Sequence, residues 1–349
     1  MSEKMKAIVI RVPGSAQIET VSIPEPAVGE VLIRVDTCLL CTWEQRLFQN
    51  GGGMTLPYIP GHEFSGTIAA VGPDTPTTFC IGDPVVGKTL DSCGHCEFCY
   101  RGEDNQCTGK PKKRYFDGIM GAGGLAQYLA LSVSRVFPIE NPDLPMGLAA
   151  FCEPVACCLR SLERANIEMG EDVVIVGAGI MGQLHQLLAK KRGARTIVVD
   201  LDQSRLDQAK KAGADIVLNP SDGDPIARIL ELTHGHGAQV VFFTLPSTKL
   251  AQDYIEALGK LGRMIYYGSF HPANDMAVNP NKIHYSEKVI TGAYSPTTRS
   301  FYQAARILSN GIIDVKPFLS ELYPISEANT AFARAMSPET FRVGIELWK

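Results

Sequence analysis

The segment 172–182, DVVIVGAGIMG, constrains this chain most: a fully apolar strand runs directly into a glycine turn that opens a helix. A strand with no polar face has to be covered on both sides. The following residues supply that cover, as helix-patterned GQLHQLLAKKRG, SRLDQAKKAG, PIARILELT and LAQDYIEALGKLG alternate with the strand-like runs TIVVD, DIVLN, QVVFFTL and RMIYYGSF. Such alternation predicts a parallel, doubly wound sheet. Gly177, Gly179 and Gly182 follow G-x-G-x-x-G, with Ile180 and Met181 inside the pattern. The pattern alone is weak, but strand, turn and helix come in the order that dinucleotide binding requires. Gly177 permits the tight turn, Gly179 a close approach to a pyrophosphate, and Gly182 close helix packing. The helix N–H groups then face the phosphate charge. Asp200 ends the next strand, where a carboxylate accepts hydrogen bonds from ribose hydroxyls and repels a 2′-phosphate. The expected cofactor is therefore NAD. Arg205, near the adenine edge, keeps NADP as the alternative. The competing reading is a glycine turn in an unrelated α/β domain, with Asp200 as a helix-start residue.

Residues 1–147 differ in kind. Short runs such as VLIRV and FSGTIAAV are closely punctuated by glycine and proline, the pattern of a mostly β domain with long loops. The change near Leu148 marks a second domain over 148–294. The tail, 295–349, either returns to the first domain or extends the second. A chain of 349 residues, 45% hydrophobic, has material for two cores. The formal net charge of -4 gives no global case for nucleic-acid binding, and the KPKKR run at 110–114 reads as a solvated loop. No apolar run approaches the roughly 20 residues that span a bilayer, and MSEKMKAIVI lacks a secretory stretch.

Four of the ten cysteines, Cys93, Cys96, Cys99 and Cys107, stand as C-x2-C-x2-C-x7-C. Four thiolates suit tetrahedral zinc, and a closed shell leaves no place for substrate, so a structural zinc is expected. His95, inside the loop, is expected to face solvent. Metal-type spacing without an export signal points to a reducing cytoplasm. A second set is dispersed: Cys41 after VLIRVDTCLL, His62 and Glu63 in PGHEFSG, and Glu153 in EPVACC. Thiolate, imidazole and carboxylate can hold zinc while a fourth position stays open. Spacing does not prove this, since His62 also reads as an ordinary hydrogen-bonded histidine and Glu153 as a helix-start acid. The HGHG stretch at 234–237 reads as a turn, and Cys157 and Cys158 as helix packing.

Taken in order, Cys41, GHE at 61–63, GD-x-V at 82–85, the four-cysteine loop, EP at 153–154 and GAGIMG at 177–182 resemble the zinc-dependent medium-chain dehydrogenases over nearly the whole chain. The resemblance implies a two-domain α/β fold: a GroES-like, mostly β catalytic domain plus a Rossmann domain, with 295–349 completing the catalytic domain. It implies Cys41 and His62 as catalytic-zinc ligands. Glu153 would be the third, as in the polyol and threonine dehydrogenase branches. Glu63 is similar to the family's mobile glutamate, which leaves open whether it or Glu153 is the resting third ligand. Cys152 is a competing donor beside Glu153. Asp83 looks like an acid that orients a ligand imidazole, His62 being the candidate. One departure stands out. Many members read C-G-[ST]-D after the first ligand, with a hydroxyl that relays the alcohol proton, whereas this chain reads Cys41-Thr42-Trp43-Glu44. Trp43 cannot relay, and Glu44 replaces the usual aspartate, to hold an imidazole or the substrate. The proton then has Glu63, Glu44, the cofactor ribose or water as its exit.

The implied activity is hydride transfer from a small polar secondary alcohol, a polyol, sugar or inositol derivative, to NAD. The rivals are threonine-type and simple secondary-alcohol dehydrogenases and an NADP-dependent carbonyl reductase. A non-catalytic nucleotide-binding protein is the reading from another class. Arg299 is a candidate pocket residue by family position. No nucleic-acid or membrane partner is expected, and the family implies a homodimer or homotetramer.

Overall fold

The structure, a computed structural model, describes residues 3–109, 113–270 and 272–349, so 110–112 of the basic run lie outside the described residues. The chain forms two compact units: Met1–Ala156 with Thr297–Lys349, and Cys157–Pro296. The sequence placed the divisions at 147/148 and 294/295.

In the second unit six parallel strands lie in the order Ile216–Leu218, Arg195–Val199, Asp172–Val176, Ala238–Phe243, Leu258–Tyr266, Val289–Gly292. Strand order reverses at Asp172–Val176, and the crevice beyond the carboxyl end of such a strand is where doubly wound sheets bind ligands. Val174 and Val176 pack with Ile197, Val199, Val241, Phe243 and Met264 in one core. Val173 and Ile175 alternate with them and are equally buried, which explains the unbroken apolar run.

The helix Ile180–Lys191 buries His185 completely, its ring centroid 4.6 Å from that of Phe242 and 4.7 Å from that of Tyr267. His185 Nδ1 lies 2.7 Å from the Met181 carbonyl oxygen, an acceptor, so Nδ1 carries the proton. Burial pushes the pKa down to about 4. The unfolded chain takes up this proton near pH ~6.5 and the folded chain does not, so stability is fully present above that value and falls as pH drops towards 4. Between pH 7.5 and 5 the loss from this group is expected to be ~2 kcal/mol. His185→Gln should remove that part of the pH slope, as read from urea unfolding at the two pH values.

In the first unit a five-stranded sheet runs Ser15–Ser22, Lys4–Val12, Tyr58–Ile59, Ile119–Gly121, Tyr115–Phe116. A second sheet runs Val136–Pro138, Pro84–Gly87, Glu63–Val71, Glu30–Leu39, Arg342–Glu346, Leu319–Pro324, with Tyr128–Ser132 also paired to Glu30–Leu39. The tail therefore joins this unit through a strand inside its sheet. Ile33, Val35, Phe64, Ile68, Val85, Val343 and Ile345 share its core.

Register in this second sheet positions the chemistry. Leu39 pairs with Glu63 on one side and Gly344 on the other, and the Leu40 amide donates to the Val343 carbonyl. Continuing that antiparallel register brings Arg342 opposite Cys41. Glu63, Leu39, Gly344 and Arg342 share one face, because directly paired residues and residues two apart do. Among the described residues no helix is long and apolar enough to cross a membrane.

Candidate active site and metal centres

Cys41 is the N-cap of the helix Thr42–Asn50, and the Glu44 side chain folds back to accept the Cys41 amide at 3.2 Å. Glu44 is fully buried, and its other oxygen accepts the Gly61 amide at 3.2 Å and meets His62 Nδ1 at 2.6 Å. One carboxylate thus joins the Cys41 turn, the Gly61 turn and the imidazole. Three donors are what allow an acid to be buried here. Burial disfavours charge on His62, yet Glu44, a hydrogen bond to Cys41 and the charge of Glu153 hold its pKa well above that of an ordinary histidine. Asp83, expected near His62, instead accepts the Cys80 amide at 2.7 Å.

Ligand atoms of Cys41, His62 and Glu63 lie within 4.8 Å of one another. Glu63 is fully buried in a bidentate pair with Arg342, Nε to Oε2 at 2.9 Å and Nη2 to Oε1 at 2.8 Å. Arg342 was not singled out in the sequence. Glu153, in the first turn of the helix Cys152–Ala165, stands outside the 4.8 Å group, but its charge acts on both His62 and Arg342. Cys152 is buried, its thiol donates to the Phe301 carbonyl at 3.6 Å, and it stands outside the 4.8 Å group. The Trp43 ring meets His62 edge-on at 5.9 Å and Tyr58 at 5.7 Å. The Thr42 hydroxyl is 3.8 Å from Cys41 Sγ. Arg299 is exposed on the first turn of the helix Thr298–Ser309.

The four loop cysteines also converge within 4.8 Å. Cys107 Sγ accepts the amides of Cys93 at 3.2 Å and Gly109 at 3.3 Å, which fixes the sulfur within the loop. Amide hydrogen bonds from Cys99 and Thr108 pull Cys96 down to about 5. A Cβ on Gly109 would lie 2.5 Å from that of Cys93, so only glycine lets the chain close behind the sulfurs. His95 is exposed, with Nδ1 against the Cys93 carbonyl at 2.7 Å. Both donor sets fit zinc: four sulfurs in the closed one, and thiolate, imidazole and carboxylate in the other.

In the second unit Gly177 has φ +102°, and a Cβ on Gly182 would sit 1.8 Å from the Gly177 carbonyl oxygen. Ile180 and Met181 form the first turn of the helix that follows. Asp200 accepts the Ala178 amide at 2.6 Å and the Asp202 amide at 2.9 Å, fastening the glycine turn to the next strand. Arg205 Nη1 lies 4.0 Å from where a Cβ on Gly179 would be. His234 and His236 lie in the turn before the strand Ala238–Phe243, and Cys158 Sγ is 3.3 Å from His185 Nδ1.

Residues 27–141 match the alcohol dehydrogenase GroES-like domain, and 181–310 match the zinc-binding dehydrogenase domain. Sorbitol dehydrogenase of Bacillus subtilis is 30% identical over 339 residues, covering 96% of this chain and 94% of the relative. The chain belongs to the zinc-dependent medium-chain dehydrogenases. Erythritol/L-threitol dehydrogenase of Mycolicibacterium smegmatis is 29% identical over 339 residues, 93% of this chain and 92% of its own. Among solved structures, a zinc-binding dehydrogenase from Sinorhizobium meliloti 1021 bound to NADP superposes with TM-score 0.89 at 25% identity, covering 99% of this chain and 100% of that one. This dehydrogenase is an oxidoreductase of two-domain α/β fold, a GroES-like domain and a Rossmann-like parallel sheet.

Proposed function

We propose that this dehydrogenase oxidises a secondary hydroxyl of a small polyol, sugar or inositol derivative to a ketone, with NAD as hydride acceptor. The observation that carries the reading is the convergence of Cys41, His62 and Glu63, with the charge of Glu153 acting on the same imidazole, in a chain whose relatives include sorbitol and erythritol/L-threitol dehydrogenases. Cys41, His62 and Glu153 would hold the catalytic zinc, and the four loop cysteines a structural one. Zinc supplies a Lewis acid for the alcohol oxygen, and the nicotinamide accepts the hydride.

The remaining work falls to the chain. Glu44 fixes the imidazole through Nδ1 and leaves the other nitrogen as donor. Arg342 engages both oxygens of Glu63, which favours Glu153 as the resting third ligand and keeps Glu63 in reserve. Trp43 has a donor-only indole N–H and cannot accept the alcohol proton. Glu44 and Glu63 are buried and occupied on both oxygens. Water, over the 20% of the His62 side chain that is exposed, is the exit we assign. Gly177, Gly179, Ile180, Met181 and Gly182 would cradle the pyrophosphate, with Asp200 at the ribose and Arg205 beside it. Asp200 favours NAD; the NADP-bound relative and Arg205 define the rival.

Reduction of NAD and of NADP over a panel of polyols, sugars, inositols, threonine and small secondary alcohols tests the reading. Turnover with NAD and a polyol-type substrate is expected, and preference for NADP or activity on none of the panel removes it. Glu44→Gln keeps the shape but loses the charge facing His62, and should lower catalytic metal retention and kcat/KM by roughly 10–100-fold. Chelator competition and steady-state rates check this. All ten cysteines are free of disulfides, which supports a reducing compartment such as the cytoplasm. A homodimer or homotetramer is proposed with it.

A further inference from the structure

Asp104 lies between the third and fourth cysteines of the zinc loop, but its carboxylate serves another element. Its side chain is 10% exposed, and it pairs with Lys88, whose side chain is 3% exposed. Oδ1 accepts the Thr298 amide at 2.9 Å, and Oδ2 accepts the Thr298 hydroxyl at 2.8 Å. Thr298 opens the helix Thr298–Ser309, immediately after the chain re-enters the first unit at Thr297.

That helix start is already capped locally: Thr297 accepts the Ser300 amide and Ser300 accepts the Thr297 amide, both at 3.0 Å. The Thr298 amide is left over by the box, and the loop acid takes it. An acid at this end also meets the positive pole of the helix. One turn on, the Phe301 carbonyl receives the Cys152 thiol at 3.6 Å, and the Phe301 ring stacks on Phe137 at 5.0 Å. Phe301 and Cys152 are both buried. Cys152 is the residue before Glu153. Contacts within the first unit therefore run without a break from the four-cysteine loop, through Asp104 and Thr298, to Phe301, Cys152 and the backbone that carries Glu153.

We propose that Asp104 is a positioning residue: it fixes the start of the helix Thr298–Ser309 against the four-cysteine loop and so sets the placement of Glu153 at the Cys41–His62 centre. The buried Lys88 side chain pairs with the carboxylate and holds it in place, and the fork of two acceptors on one threonine sets the helix in both position and rotation. A loop that only stabilised its own surroundings would need no buried acid directed at a helix start 194 residues away in sequence.

The proposal rests on Cys41 and His62 holding an open zinc centre. Two zinc ions in each wild-type chain check that premise separately, since a single zinc defeats the premise before any variant is made. The test uses the full zinc-loaded protein and follows zinc release to a colorimetric chelator. The three-donor centre should release in a fast phase and the four-thiolate centre in a slow one. Asp104→Ala is expected to speed the fast phase by about tenfold or more, and Thr298→Val, which removes only the hydroxyl partner, by a smaller factor. Asn329→Ala is the control. It removes two hydrogen bonds to the Ala16 backbone elsewhere in the same unit, and should leave the fast phase unchanged even where it lowers Tm. Asp104→Asn, which keeps one acceptor for the Thr298 amide, should recover part of the wild-type rate. A fast phase unchanged in both Asp104→Ala and Thr298→Val, or accelerated equally by Asn329→Ala, overturns the proposal. If Asp104→Ala does not fold, Thr298→Val against Asn329→Ala decides it.

Discussion

Glu153→Ala is expected to purify with one zinc per chain in place of two, and with kcat/KM lower by about three orders of magnitude, ~4 kcal/mol of transition-state stabilisation. The remaining zinc should be that of the four cysteines, whose closed sulfur shell involves no residue near Glu153. Two neighbours are the obvious replacements for a lost carboxylate, and both are committed elsewhere. Glu63 is in contact range of Cys41 and His62, but Arg342 holds both of its oxygens. Cys152 is adjacent in sequence, but it is buried and its thiol meets the Phe301 carbonyl. Neither can become a ligand without breaking a buried interaction. Glu153→Cys gives the second arm. A thiolate suits zinc as well as a carboxylate does, so this variant should regain the second zinc while its rate on polyols stays below wild type, because the donor's charge distribution and reach differ. Metal content by mass spectrometry and steady-state rates distinguish the arms. An alanine variant with two zinc ions and a normal rate would assign the third position to Glu63.

The parts legible in the sequence were those whose physics is local. The strand 172–176, the turn at Gly177 and the helix beginning at Ile180 are contiguous, and each residue type follows from a neighbour a few positions away. The four-cysteine loop spans 93–107 and is equally self-contained. The domain division was harder. It falls at Ala156/Cys157 and Pro296/Thr297, and the first of these lies inside the continuous helix Cys152–Ala165, where no break in the element marks it. The imidazole's partner was half legible: both Glu44 and Asp83 were candidate acids, and choosing between them needs to know that the Cys41 turn and the Gly61 turn meet. Arg342 could not be found at all. Its partner Glu63 is 279 positions away, and the pair exists because a strand from the tail lies beside Glu30–Leu39 in one particular register. A shift of one residue would turn Arg342 to the other face.

Arg342 also offers the largest expected effect on stability. Its guanidinium and the Glu63 carboxylate are 2% and 0% exposed, and they meet through two parallel hydrogen bonds. Arg342→Met removes the cation and both donors while leaving the acid buried, which costs about 3–5 kcal/mol in comparable pairs. For a unit of this size that corresponds to a fall in Tm of roughly 10 °C. Glu63→Gln alone strands the arginine and should cost a similar amount. The double variant Arg342→Met/Glu63→Gln leaves no uncompensated charge and should recover much of the loss, so the two single effects will not add. Activity should behave differently. Freed from Arg342, Glu63 in the Arg342→Met variant can turn towards Cys41 and His62 and compete with Glu153, so the rate should fall more than metal content does. The double variant has no such competitor, and its rate should rise above that of Arg342→Met. Thermal unfolding of the zinc-loaded proteins, with kcat measured on the same samples, separates the two effects. Additive losses in Tm would show that the pair is not the main constraint on Glu63, and a double variant slower than Arg342→Met would remove the idea that Arg342 restrains a competing ligand.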